Sequence, residues 1–199
     1  MGHARRRRSR NRGATMAAMT DIDSSPASTD ALAHLRTTLA RRVAIRSESQ
    51  NPERSAELLR YLDEEIEPQL AQMGFVRTRW ANPVAGKPPF LFAERIEDPA
   101  ARTVLMYGHG DVVLGYDAQW TQAASPWTLE ERDARWYGRG TADNKGQHTI
   151  NLAALETVLA RRGKLGCNVK WLFERARRSA LPACARCARR TRASSPPMC

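Results

Sequence analysis

Thr103-Val104-Leu105-Met106-Tyr107 runs without a break into Gly108-His109-Gly110-Asp111. A continuously apolar run of this length predicts a central β-strand covered on both faces, as in an α/β sheet. Open α/β sheets keep their sites just past the carboxyl ends of their strands, and His109 and Asp111 stand there. Farther along, Gly138-Arg139-Gly140-Thr141-Ala142-Asp143-Asn144-Lys145-Gly146 is a glycine-rich turn in front of a helical pattern. These two pieces are the candidate site, and the rest of the chain is read around them.

Upstream, Ser28-Thr29-Asp30 is a helix-start signal, and Leu32, Leu35, Leu39, Val43 and Ile45 recur at nearly helical spacing to about Arg46. Pro52 is well placed to open a second helix, with Ala56, Leu59, Leu62, Ile66 and Leu70 on one face and Gly74 as its stop. Pro68, late in that helix, predicts a kink. Two more strand-like runs follow, Phe75 to Trp80 and Phe90 to Ile96, separated by a Pro-rich loop that cannot be strand. Downstream of Asp111, Pro126-Trp127-Thr128-Leu129 and Arg135-Trp136-Tyr137 read as a hairpin. A helix opening at Lys145 or Gly146 turns Ile150, Ala154, Leu155, Val158 and Leu159 to the core, and Cys167 to Phe173 is a further buried strand. Strand, helix and strand in that order predict a crossover onto a mostly parallel sheet flanked by helices, an α/β fold.

The formal charge of +11 invites a nucleic-acid reading, but the charge is not on the patterned segment. Residues 1–19 hold six Arg, residues 175–199 hold seven, and neither end holds an acid. Residues 20–174 carry 19 basic and 21 acidic side chains, a balance of −2. An alternative function, binding of nucleic acid or another anion, would therefore rest on two Arg-rich tails that lack the interleaved aromatics of single-strand binders. Three of the four cysteines, Cys184, Cys187 and Cys199, lie in the last sixteen residues, so there is no disulfide framework. No apolar run approaches the roughly 20 residues that span a bilayer, and Ala14 to Met19 is too short for a signal-peptide core, so a cytoplasmic location is expected.

Imidazole and carboxylate together are the ligands that suit a catalytic zinc. Asp111, two residues beyond His109 in extended chain, falls on the same side and can fix the imidazole tautomer. Asp143 adds a second carboxylate, with one oxygen for each of two ions. Taken singly, each residue has a plainer reading. His-x-Asp is an ordinary loop feature, Asp143 an N-cap, Arg139 and Lys145 surface charges, and Trp120, Trp127 and Trp136 packing residues. Their order and spacing after an apolar strand favour the metal reading.

On these residues, residues 30–174 resemble the N-terminal part of the catalytic domain of the M20 family of zinc metallopeptidases and deacylases. Glutamate carboxypeptidase, acetylornithine deacetylase and the carnosine dipeptidases belong to it. Asp143-Asn144-Lys145-Gly146-Gln147 and Pro126-Trp127 are most similar to the dipeptidase branch. The resemblance implies an incomplete zinc-exopeptidase-like fold and hydrolysis of amide bonds in small peptides or N-acyl amino acids. It also implies His109 as ligand of one zinc, Asp111 as the catalytic orienting carboxylate, Asp143 as bridge between two zinc ions, and a cis peptide at Asp143-Asn144. Complete members are often homodimers, which is not expected of this chain.

The same resemblance places a Glu pair shortly after Phe173-Glu174, the first a general base and the second a zinc ligand. Arg177 and Arg178 stand there instead. Arg neither accepts a proton near neutral pH nor binds zinc. One choice of synonymous codons for Ala176 to Leu181, GCG-AGG-AGG-TCG-GCT-CTC, read two bases on, encodes Glu-Glu-Val-Gly-Ser, so a reading-frame shift is one expectation. The domain reading is a disordered polar segment over residues 1–28, a partial catalytic domain over 29–174, and a disordered Arg- and Cys-rich tail over 175–199. The chain is expected to be a fragment of a metal-dependent hydrolase that does not turn over substrate.

Overall fold

The computed structural model describes residues 26–82 and 89–175. The expectations for the ends of the chain, including Arg177, Arg178, Cys184 and Cys187, and for residues 83–88 lie outside the described residues.

Helix α1 (Pro26–Ala44) starts ahead of the Ser28-Thr29-Asp30 signal and buries Leu39 and Val43, while Leu32 is exposed. From Pro52 the chain makes a 3-10 turn (Pro52–Arg54), α2 (Ser55–Arg60), a π-helical stretch (Tyr61–Ile66) and α3 (Glu67–Gln72). Its buried face is Leu58, Tyr61, Leu62, Ile66 and Leu70, and Leu59, expected inside, is 42% exposed. Leu58, Leu62, Ile66 and Leu70 recur every four residues, a spacing that the wide π turn accommodates and 3.6-residue periodicity does not. Pro68 falls in the first turn of α3, where its missing N–H costs nothing.

Four strands form the main sheet: β1 (Val76–Trp80), β2 (Phe90–Arg95), β3 (Thr103–His109) and β6 (Asn168–Glu174), in the order β1-β2-β6-β3. A separate hairpin joins β4 (Glu130–Arg132) to β5 (Arg135–Tyr137) through Asp133 and Ala134, both at positive φ. Helix α4 (Lys145–Arg162) crosses from the site to β6 and ends at Gly163 in the left-handed region, a common C-terminal stop.

The sheet departs from expectation in two ways. Only β3–β6 is parallel, while β1–β2 and β2–β6 are antiparallel, so the described sheet is mixed rather than mostly parallel. And β3 is not central: it is the edge strand among the described residues, with Val104 and Leu105 47% and 46% exposed. The strand covered on both faces is β6, buried at every position. An apolar run states that a strand can be buried; which strand has neighbours on both sides depends on pairing order.

The core joins Tyr61, Leu62, Ile66 and Leu70 to Leu91, Trp171 and Phe173, with Leu152 entering from α4. Helix α4 therefore presents Leu152 together with Leu155 and Leu159, while Ile150, expected inside, is 56% exposed. Ala154, also expected inside, is exposed too. The phase is set by Lys145, His148 and Thr149 at its first turns, which are polar and buried. Among the described residues no helix is long and apolar enough to cross a membrane.

Candidate metal centre

His109 is the last residue of β3, and its register partner on β6 is Glu174. Glycines flank it because the chain passes close to two rings. A Cβ at Gly108 would meet the Phe173 ring at 2.7 Å and one at Gly110 the Tyr61 ring at 2.7 Å. Ser47 Oγ donates to Gly110 O at 2.6 Å and Val112 N to Ser47 O at 2.8 Å, which pins the strand exit to the segment after α1.

The three residues read from the sequence come together. His109 Nδ1 lies 3.1 Å from Asp111 Oδ1 and 3.0 Å from Asp111 O, so this nitrogen carries a proton. His109 Nε2 lies 2.9 Å from Asp143 Oδ1. His109 and Asp111 are buried, whereas the Asp143 side chain is 62% exposed. Burial opposes a charge on the His109 ring, but Asp111 and then Asp143 outweigh it, and its pKa is raised above the ordinary histidine value. Asp143 is not an N-cap: Asn144 holds that position, and its side chain makes no capping bond. The Asp143-Asn144 peptide is cis, as the resemblance implies.

Behind these residues lies a network that the sequence reading missed. Asn144 Oδ1 accepts from His109 N at 3.1 Å and from His148 Nδ1 at 2.9 Å. His148 Nδ1 is therefore protonated, and Nε2 accepts from Tyr61 O–H at 2.5 Å. The spacing of Asn144 and His148, four apart at a helix start, was the available signal; the partner Tyr61 lies 87 residues from His148 and left none. Lys145, read as a surface charge, is fully buried. Its Nζ donates to Arg42 O at 2.8 Å and Ile45 O at 2.6 Å, closing the carboxyl end of α1, and sits 4.7 Å from the Tyr61 ring centroid. Burial pushes its pKa down to about 7. Arg42, also fully buried, donates to Thr149 Oγ1, Glu65 O and Gln69 Oε1. Trp127 packs under Gly115, with Nε1 donating to Asp117 Oδ1 at 3.0 Å, so Pro126-Trp127 shapes the loop beside the site.

His148 carries a pH prediction. Burial, reinforced by the cations Arg42, His109 and Lys145, holds its pKa well below 6.5 in the folded chain. The unfolded chain then binds the extra proton first, so stability is retained above about pH 6.5 and lost progressively as pH falls below it. His109, with its raised pKa, contributes with the opposite sign, so the measure is a difference: between pH 7 and pH 5 the urea midpoint of the unmodified chain should lose ground relative to that of His148→Gln, and equal slopes would refute the assignment.

His109, Asp111, Arg139, Thr141 and Asp143 line a cavity of about 510 Å³ that reaches Val113. Imidazole and exposed carboxylate, with a buried carboxylate behind the imidazole, form a donor set that fits zinc. Among the described residues no three His, Cys, Asp or Glu side chains converge as a metal cluster, so the fit rests on the His109–Asp143 pair.

Residues 105–176 match Peptidase family M20/M25/M40. The chain is 41% identical over 88 residues to the mouse (Mus musculus) Beta-Ala-His dipeptidase, covering 44% of this chain and 18% of that protein. It is 51% identical over 59 residues to the Cysteinylglycine-S-conjugate dipeptidase of Corynebacterium striatum, covering 29% of this chain and 12% of that one. The crystal structure of human carnosine dipeptidase 1 superposes with a TM-score of 0.73 at 27% identity, over 81% of this chain and 36% of that chain. The chain thus spans only about a third or less of these relatives. Over the stretch they share, it is similar to peptidase family M20.

Proposed function

We propose that this chain carries the His109–Asp143 part of a zinc site from a lineage that hydrolyses amide bonds in dipeptides or N-acyl amino acids. The observation that carries the reading is the His109 ring, held between Asp111 at 3.1 Å and Asp143 at 2.9 Å. Dipeptides are favoured as the substrate class, because the three relatives named above are dipeptidases.

His109 Nε2 and the Asp143 carboxylate would hold zinc, which when bound polarises a substrate carbonyl and lowers the pKa of water. Asp111 fixes the His109 tautomer and keeps Nε2 directed at Asp143. Asn144 holds the backbone of His109 and, through His148, ties it to α4. Hydrolysis also needs a group that takes a proton from water, and the position the resemblance assigns to it is Arg177. We therefore expect zinc binding without turnover of dipeptides.

Isothermal titration with zinc tests this, with β-alanyl-histidine as the probe for turnover. His109→Ala should abolish binding, and Asp111→Asn should weaken it about 10- to 100-fold, the usual effect of losing the group that orients a ligand. Protons compete for His109, so affinity should fall as pH drops through its raised pKa. Zinc affinity indifferent to His109→Ala would overturn the assignment.

A further inference from the structure

We propose that Arg139 is the anion-recognition residue of this cavity and takes the free carboxylate of a small amide substrate, whose scissile bond lies toward His109 and Asp143. The substrate's amide rests on the function proposed above; carboxylate binding by Arg139 does not.

The Arg139 side chain is held by its neighbours. The Arg139 backbone N donates to Pro126 O at 2.6 Å, its Nη2 donates to Gly115 O at 3.2 Å, and its Cζ lies 4.9 Å from the Trp120 ring centroid. The guanidinium is thus stacked and oriented before any ligand arrives, which limits the entropy lost on binding. It is also under-used. Of its five N–H donors, only one on Nη2 reaches a described residue; Nη1 has no such partner, and Nε is buried without one.

Nor is the charge neutralised nearby. No carboxylate lies within ion-pair distance of Arg139 among the described residues. Glu48 is the acid whose charge favours the guanidinium most, yet its Oε1 accepts from Gly115 N at 2.7 Å and its Oε2 faces Arg54 at 3.9 Å. Burial lowers the Arg139 pKa, the direction expected for a cation short of counter-charge. A half-buried guanidinium with idle donors is stabilised most by a planar anion that accepts two hydrogen bonds, which is a carboxylate.

Its place gives the specificity. Arg139 lines the same cavity as His109 and Asp143, and only Gly140, Thr141 and Ala142 separate it from Asp143 in the turn. Thr141 Oγ1, the hydroxyl between them, is already spent on Gly138 O at 2.9 Å. A small molecule with an amide at the His109–Asp143 end and a carboxylate at the Arg139 end matches the two walls. A neutral amide end would leave the guanidinium uncompensated.

The test uses the 199-residue chain freed of metal on a chelating resin, with no soluble chelator present, so that no carboxylate can bind through zinc and no chelator carboxylate competes for Arg139. N-acetylalanine and N-acetylalanine amide are titrated in turn, followed by calorimetry. We expect the carboxylate to bind about tenfold or more tighter than the amide, the effect of one charge-assisted contact. Arg139→Gln should erase the preference, and Arg139→Lys should keep part of it. Equal binding of the two probes, or a preference unchanged in Arg139→Gln, overturns the proposal. If Arg139→Gln does not fold, the unmodified chain decides: the Arg139 side-chain N–H resonances shift with N-acetylalanine and not with its amide, and their failure to shift overturns it. Zinc titration of the same variants separates the two readings. Unaltered zinc binding with a lost carboxylate preference supports both, and carboxylate preference in a chain that binds no zinc refutes only the metal site.

Discussion

Gly146→Ala should destabilise the chain by about 3 kcal/mol, at the upper end of what over-packing costs. A Cβ on Gly146 would be driven into the backbone carbonyl of Thr141, far inside van der Waals contact, and its next neighbour is the Thr141 carbonyl carbon at 2.9 Å. Flexible side chains can step aside, but this obstacle is main chain. It cannot move freely, because Gly146 N donates to Gly140 O at 3.0 Å and Thr141 N to Gly138 O at 3.3 Å. To admit the methyl, the turn from Gly138 must lift away from the start of α4. Asp143 lies in that turn, so on the zinc site proposed above affinity should fall with stability although none of the proposed ligands has been altered. Urea unfolding with paired zinc titrations measures both, and an unchanged midpoint in Gly146→Ala would show that the turn is not packed as described.

Trp171→Ala should cost about 4 kcal/mol, the range for deleting a large aromatic side chain from a core. Trp171 is fully buried in the middle of β6 and pairs in register with Ala93 of β2 and Met106 of β3. Its ring stacks on Phe173 at 4.8 Å between centroids, and Phe173 meets the His148 ring edge-on at 5.5 Å. Removing it hollows the floor on which the His148–Asn144 network stands. Trp171→Phe keeps a stackable ring and should lose much less. Comparing the two midpoints separates lost packing from lost aromatic contact, and equal losses would contradict the stacking account.

The elements were legible in the sequence where a single local rule governs them. Val43 and Leu39 are buried on α1 because apolar periodicity is local. Gly163 ends α4 because a left-handed stop suits glycine. The rules failed where a long-range neighbour sets the outcome. Leu59 and Leu58 exchanged places because a π turn changed the helical phase, and the polar first turns of α4 rotated Ile150 outward.

The site divides along the same line. The sequence by itself supplied the candidate groups: an imidazole and two carboxylates, His109, Asp111 and Asp143, carried by an apolar strand and a glycine-rich turn, in a pattern that resembles one family. Residue types and short spacings are written directly into the chain, so this much survives without coordinates. Only the tertiary structure decided that β6 rather than β3 is the buried spine, that Lys145 is a buried clamp on α1, and that Tyr61 and His148 stand behind His109. Those facts depend on which strand lies beside which and on contacts across about ninety residues or more, where burial and hydrogen-bond satisfaction are settled by the whole fold.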